Sequence, residues 1–168
     1  MATSASPAIT VLAWGNESRG DDAIGPILAR RIVGLENLAI NIVEDHQLSI
    51  EHIMDLREDV PVLFIDASIA IDADYVLERL KPLQDASISS HSISPQALLD
   101  LYEHTLGKPA PDAYLLQVCG NSFELGETIS DATSKSLDEA WLFLTGVFAK
   151  PREQWRSCFE AASSMLAD

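Results

Sequence analysis

The sequence predicts an α/β fold: a three-layer sandwich in which a twisted, mostly parallel sheet of about five strands carries helices on both faces. Three observations predict it. Short apolar runs alternate with amphipathic stretches along the chain. Val60–Ala67 (VPVLFIDA) is apolar without alternation, as a strand buried on both faces is. No internal repeat, linker or low-complexity stretch interrupts the 168 residues, so a single domain over residues 1–168 is expected.

The elements follow in order. Residues 1–7 are small and polar and read as a loose N-terminal tail. Ile9–Gly15 (ITVLAWG) ends in Gly-Asn, which predicts a strand and then a turn. In Asp22–Val33, Ile24, Ile27, Leu28 and Ile32 share one helical face, with Pro26 near the tolerant first turn. Leu38–Val43 is a second short strand. Ser49–Arg57 sets Ile50, Ile53 and Met54 on one stripe behind Ser49 as N-cap, which predicts a helix. Val60–Ala67 is the third strand and Tyr75–Leu80 a further one. Ser94–Leu106 opens with Ser94 as N-cap and Pro95 at the first helical position. Tyr114–Cys119 is an apolar strand closed by Gly120-Asn121. Ser134–Ala149 is amphipathic around Leu137, Ala140, Trp141, Leu144 and Phe148, and Pro151 stops it. Trp155, Phe159, Ala162 and Leu166 recur at helical spacing, so a last helix is expected within residues 151–168.

Composition narrows the function. Apolar residues make up 47% and charged residues 22%, ordinary for a globular chain. Against 11 Lys and Arg stand 26 Asp and Glu, a net charge of −15. Such a surface repels phosphate backbones and anionic lipid, so neither nucleic acid nor membrane insertion is expected. A cation or a basic protein segment suits it better. Cys119 and Cys158 form no disulfide framework and no metal-finger spacing. No basic segment followed by a long apolar run opens the chain, and no stretch nears the roughly 20 apolar residues of a bilayer span. A cytoplasmic protein is expected.

In parallel α/β sheets ligands bind beyond the carboxyl ends of the strands. Those ends carry Gly15–Gly25 after the first strand, Glu44, Asp45 and His46 after the second, and Asp66 after the third. His91 lies in the stretch before the Ser94 helix, and Gly120-Asn121 follows the Tyr114 strand. The first loop has the glycine spacing of a Walker loop, but Asp21-Asp22 stands where Lys-Ser/Thr belongs, and two carboxylates at a helix start compete with phosphate. A cation site fits better. Asp22, Asp66 and His91 form a set of hard-to-borderline ligands that suits a divalent transition metal polarising a carbonyl or activating water. An Asp at a helix start can be only a cap. Asp66, directly after a buried apolar strand, is costly unless something satisfies it. Asp45 and His46 reach the same edge as alternative ligands. His52 and His104 fall within helical stretches and read as surface or packing residues. No G-x-S-x-G elbow is present, and neither cysteine carries a nucleophile signature.

These residues resemble a known family. Gly15-Asn16 with Gly20-Asp21-Asp22-Ala23-Ile24-Gly25 is similar to the G-N-x-x-x-x-D-[DE]-x-x-G opening of the nickel-iron hydrogenase maturation endopeptidases. Asp66 resembles that family's strand-end aspartate and His91 its histidine. Gly120-Asn121-Ser122-Phe123-Glu124, followed by Leu125-Gly126 and Ser130, resembles its late motif. The match covers about residues 9–148. The resemblance implies a twisted sheet between helices and removal of the C-terminal extension of a hydrogenase large-subunit precursor after nickel insertion. It implies that the nickel is carried by the substrate, and that Asp22, Asp66 and His91 probe it. A carboxylate, Asp66 before Asp22, is the expected water-activating group. Asn16, Asp45, His46 and Gln47 are the expected client contacts. Many members have Gly-Gly after the second-strand Asp; here His46-Gln47-Leu48 follows Asp45. Two other readings use the same carboxylates: a Mg²⁺-dependent phospho-acceptor receiver domain and a non-catalytic nickel chaperone.

Overall fold

The computed structural model describes residues 6–37, 39–84 and 92–165. Five strands form one sheet: β1 (Ile9–Trp14), β2 (Ile40–Asp45), β3 (Val62–Ser68), β4 (Tyr75–Leu80) and β5 (Ala113–Cys119). Their order is β2-β1-β3-β5-β4. The first four in that order run parallel, and β4 closes the edge antiparallel to β5. Four α-helices join them: α1 (Ile24–Val33), α2 (Pro95–Leu106), α3 (Asp131–Phe148) and α4 (Trp155–Ser164).

The unbroken apolar strands feed two cores, one per face. Val11, Ala13, Leu63, Ile65, Tyr114 and Leu116 pack with α1, α3 and α4. Leu12, Val62, Phe64 and Leu115 pack with Leu98, Leu99 and Tyr102 of α2. Helices therefore cover both faces, as the continuous hydrophobicity of Val60–Ala67 predicts.

Several boundaries have local causes. α2 starts where the Ser94 hydroxyl accepts the Ala97 N–H at 3.1 Å, with Pro95 next, and it ends at Gly107, whose φ is +64°. α3 starts at Asp131, three residues before the expected Ser134, because Ser130 caps it by accepting the Thr133 N–H at 3.3 Å. β2 runs on to Asp45, which pairs with Trp14.

The Ser49–Arg57 segment departs from expectation. It forms a 3₁₀ helix over Ile50–Asp55, and Met54 is 79% exposed. Three residues per turn aligns Ile53 with buried Leu56 and swings Met54 outward. The residue this turn buries most deeply is His52.

The far end of the chain packs on the body. Phe159 of α4 is fully buried against Tyr114, Phe143 and Phe148. Arg79 and Arg156 both pair with Asp112, at 3.1 and 3.0 Å. Beneath them the buried Tyr114 hydroxyl has no hydrogen-bond partner among the described residues.

Candidate active site

Strand register assembles the site. Val43, Leu12, Phe64 and Leu115 form one apolar row across four parallel strands, on the α2 face. Two residues further along each strand the row becomes Asp45, Trp14, Asp66 and Gln117. Asp45 is opposite Trp14 and Asp66 opposite Gln117, so the row shares one face at the carboxyl edge. Trp14 packs edge-on against Phe64, with ring centroids 6.1 Å apart, and floors the polar row with carbon.

Asp66 is half-buried in this row. Burial pushes its carboxyl up, the Ala67 N–H at 2.9 Å opposes that, and the charge of Asp22 adds to the rise, which reaches about 7. Its carboxyl is thereby lifted towards the range in which a general base works best.

Asp22 arrives on the turn Gly20–Ala23 that leads into α1. Two glycines let this turn lie directly against the end of β1. A Cβ on Gly15, whose φ is +153°, would sit 1.9 Å from the Asp22 carbonyl oxygen. A Cβ on Gly25 would sit 2.1 Å from the Trp14 carbonyl oxygen. Asn16 then donates its N–H to Asp22 Oδ2 at 2.8 Å, and its own Oδ1 accepts the Ser18 N–H at 2.9 Å.

Asp21 is 0% exposed and serves a different purpose. Its carboxylate accepts the N–H groups of Asn121, Ser122 and Ser130 and the hydroxyls of Ser130 and Thr133, at 2.7–3.1 Å. Burial alone would raise its pKa. The backbone N–H groups of Ser130, Asn121 and Ser122, with the Thr133 hydroxyl, outweigh it and bring Asp21 to about 2. The late Gly120–Ser130 segment is thereby tied to the first loop.

Of the expected site residues, the structure brings Asp22 and Asp66 to one edge, with Asn16 holding Asp22. His91 lies outside the described residues. Among the described residues no three His, Cys, Asp or Glu side chains converge as a metal site. Asp45 stands in the Asp66 row, while His46 and Gln47 are exposed beside it. Asp45 and His46 border a cleft of about 310 Å³ with Glu17, Arg30 and Glu44, in which Arg30 bridges Glu17 and Glu44 at 3.0 and 2.9 Å. Three participants escape the sequence reading. Gln117 is signalled by being the one polar residue of YLLQVC. His52 is signalled by its place three residues after the Ser49 cap. In the Asp21-Asp22 doublet nothing local says which carboxylate turns inward.

No family model and no curated protein sequence matches the chain. Solved structures do resemble it. A [NiFe] hydrogenase maturation protease, HycI from Thermococcus kodakarensis, superposes with a TM-score of 0.65 at 20% identity, over 88% of this chain and 96% of that one. The hydrogenase maturating endopeptidase HybD from E. coli gives 0.59 at 20% identity, over 79% and 86%. The endopeptidase HycI from Escherichia coli gives 0.60 at 16% identity, over 82% and 90%. The chain thus has the fold of the solved hydrogenase maturation endopeptidases across most of its length.

Proposed function

We propose that this protein is an endopeptidase that removes the C-terminal extension of a nickel-iron hydrogenase large-subunit precursor after nickel insertion. The observation that carries the reading is the paired carboxylate edge: Asp66 held near neutrality, with Asp22 charging it from the adjacent turn, in a fold like that of the solved maturation endopeptidases. In this reading Asp22, Asp66 and His91 probe the nickel of the substrate, so only a loaded precursor is cut. The nickel polarises the scissile carbonyl. Asp66 takes a proton from the attacking water and returns it to the leaving amine. Asn16, Asp45, His46 and Gln47 contact the client, and the site works in the cytoplasm.

A receiver domain is disfavoured by topology. Receivers of the flavodoxin-like order 2-1-3-4-5 are parallel throughout, whereas here β5 lies inside an antiparallel β4. The test is the intact mass of a nickel-loaded large-subunit precursor after incubation with the protein. Loss of a C-terminal peptide, abolished by Asp66→Asn and absent with nickel-free precursor, is expected. An unchanged precursor combined with tight nickel binding by the free protein supports the chaperone instead.

A further inference from the structure

One buried imidazole has no part in that reaction. His52 is 5% exposed and stands third in the 3₁₀ helix Ile50–Asp55. Its Nδ1 lies 2.9 Å from the Ser49 amide nitrogen and 3.2 Å from the Ser49 carbonyl oxygen. An amide N–H can only donate, and it makes the shorter contact, so Nδ1 accepts and the ring proton sits on Nε2. His52 thus fills the place Glu or Gln holds in a capping box. The second ring nitrogen is left free to act elsewhere, and it lies 3.3 Å from Asp45 Oδ2.

Asp45 is held from three sides. Oδ2 lies 3.3 Å from His52 Nε2, Oδ1 accepts the His46 N–H at 2.6 Å, and its main-chain carbonyl accepts the Gly15 N–H at 3.2 Å. Its side chain nevertheless remains 48% exposed, in the same row as Asp66 and at the lip of the cleft with Glu44 and His46. Capping Ser49 needs only Nδ1. The Nε2 contact runs outward, to a carboxylate whose remaining lone pairs face solvent.

We propose that His52 is a positioning residue: its Nε2 edge, 3.3 Å from Oδ2, orients the Asp45 carboxylate so that it accepts an N–H or cationic group of the client. This rests on the endopeptidase reading above. The orientation is fixed before the client arrives, so binding does not have to order a free carboxylate. Asp45 acts on binding and Asp66 on chemistry.

Two variants separate the roles of the ring. His52→Asn keeps an acceptor at the Nδ1 place for Ser49 but cannot reach Asp45. His52→Gln sets an amide N–H at the Nε2 place. With nickel-loaded precursor, His52→Asn is expected to raise KM about tenfold with kcat within twofold, and His52→Gln to bring KM back to within about threefold of wild type. On an Asp45→Ala background His52→Asn adds nothing further. An equal rise in KM on that background overturns the proposal, as does a fall in melting temperature with KM unchanged. The ¹⁵N spectrum of the His52 ring reads the geometry without any client: protonated Nε2 and bare Nδ1 are expected, and a protonated Nδ1 overturns the positioning. If wild type cuts no precursor, the endopeptidase reading falls and the client role of Asp45 with it, while the ring spectrum of wild type compared with Asp45→Ala still reads the His52–Asp45 contact: an unchanged Nε2 resonance overturns it.

Discussion

Asp21 and Asp66 sit at the same edge of one sheet and carry the same functional group, yet their surroundings drive them apart. Asp21 is wholly buried with five donors converging on it, and it ionises near 2. Asp66 is less buried, receives one N–H from its own neighbour and feels a second carboxylate, and it ionises near 7. Burial raises both. The number of donors decides which way each finally moves. A saturated carboxylate is a rivet; an undersupplied one is a reagent. The fold makes one from a turn and the other from a strand by aiming the N–H groups of the late loop at Asp21 and none of them at Asp66.

Breaking either half sharpens the contrast. The largest effect is expected from Asp66→Asn, which should lower cleavage of a loaded precursor by about 10²–10⁴-fold. It should also stabilise the protein at high pH. The raised folded pKa of Asp66 means its favourable contribution is complete below about 4 and is lost as pH rises through about 7. A shift of that size corresponds to roughly 4 kcal/mol, so denaturant melts of the variant should gain a few kcal/mol over wild type at pH 8 and nothing at pH 4. Equal stability at both pH values would contradict the burial of Asp66.

Asp21 should behave in the opposite sense. Its depressed pKa contributes stability that is present above about 4 and lost as pH falls towards 2. Asp21→Ala strands five donors and should cost about 3 kcal/mol or more at pH 7, read by urea denaturation. A loss below 1 kcal/mol would mean that the late loop holds itself. Gly25→Ala drives a Cβ into the Trp14 carbonyl and should cost about 2–3 kcal/mol while moving Asp22 away from Asp66. Its expected signature is a drop in the acidic limb of the pH–rate profile towards that of a lone buried carboxyl. The smallest effect belongs to Tyr114→Phe, which deletes the unpartnered hydroxyl and should change stability by no more than about 0.5 kcal/mol, or raise it slightly, by thermal melt.

Much of this was legible in the residues, for identifiable reasons. The Asp66 strand is readable because a continuous apolar run has only one home in an α/β sheet, and its terminal carboxylate has nowhere to hide. Ser94-Pro95 fixes the start of α2 because cap and first turn are local chemistry. Asp22 is readable from its place at a helix start beyond the first strand, and Asn16 only through the resemblance of Gly15–Gly25 to the family motif, whose two glycines the structure explains by two backbone contacts no side chain would survive. The antiparallel β4 is not legible, since strand direction depends on where the chain after Leu80 returns. His52 and Gln117 escape because their meaning comes from the register of other strands. The 3₁₀ form of Ile50–Asp55 escapes because Ile50, Ile53 and Met54 fit an α-helical stripe equally well on paper.

The Asp21 clamp also sets an order of events. Its partners lie 100 to 112 residues further along the chain. While the chain is being synthesised, β1, the turn after it, α1 and β2 are complete long before Thr133 exists. Until then nothing compensates the burial of Asp21, and the turn that carries Asp22 is not tied to the late loop. Closing so long a loop comes late in folding, so contacts at Asp21 should form after the transition state. The edge that carries Asp22 and Asp66 is therefore the last part of the molecule to take shape.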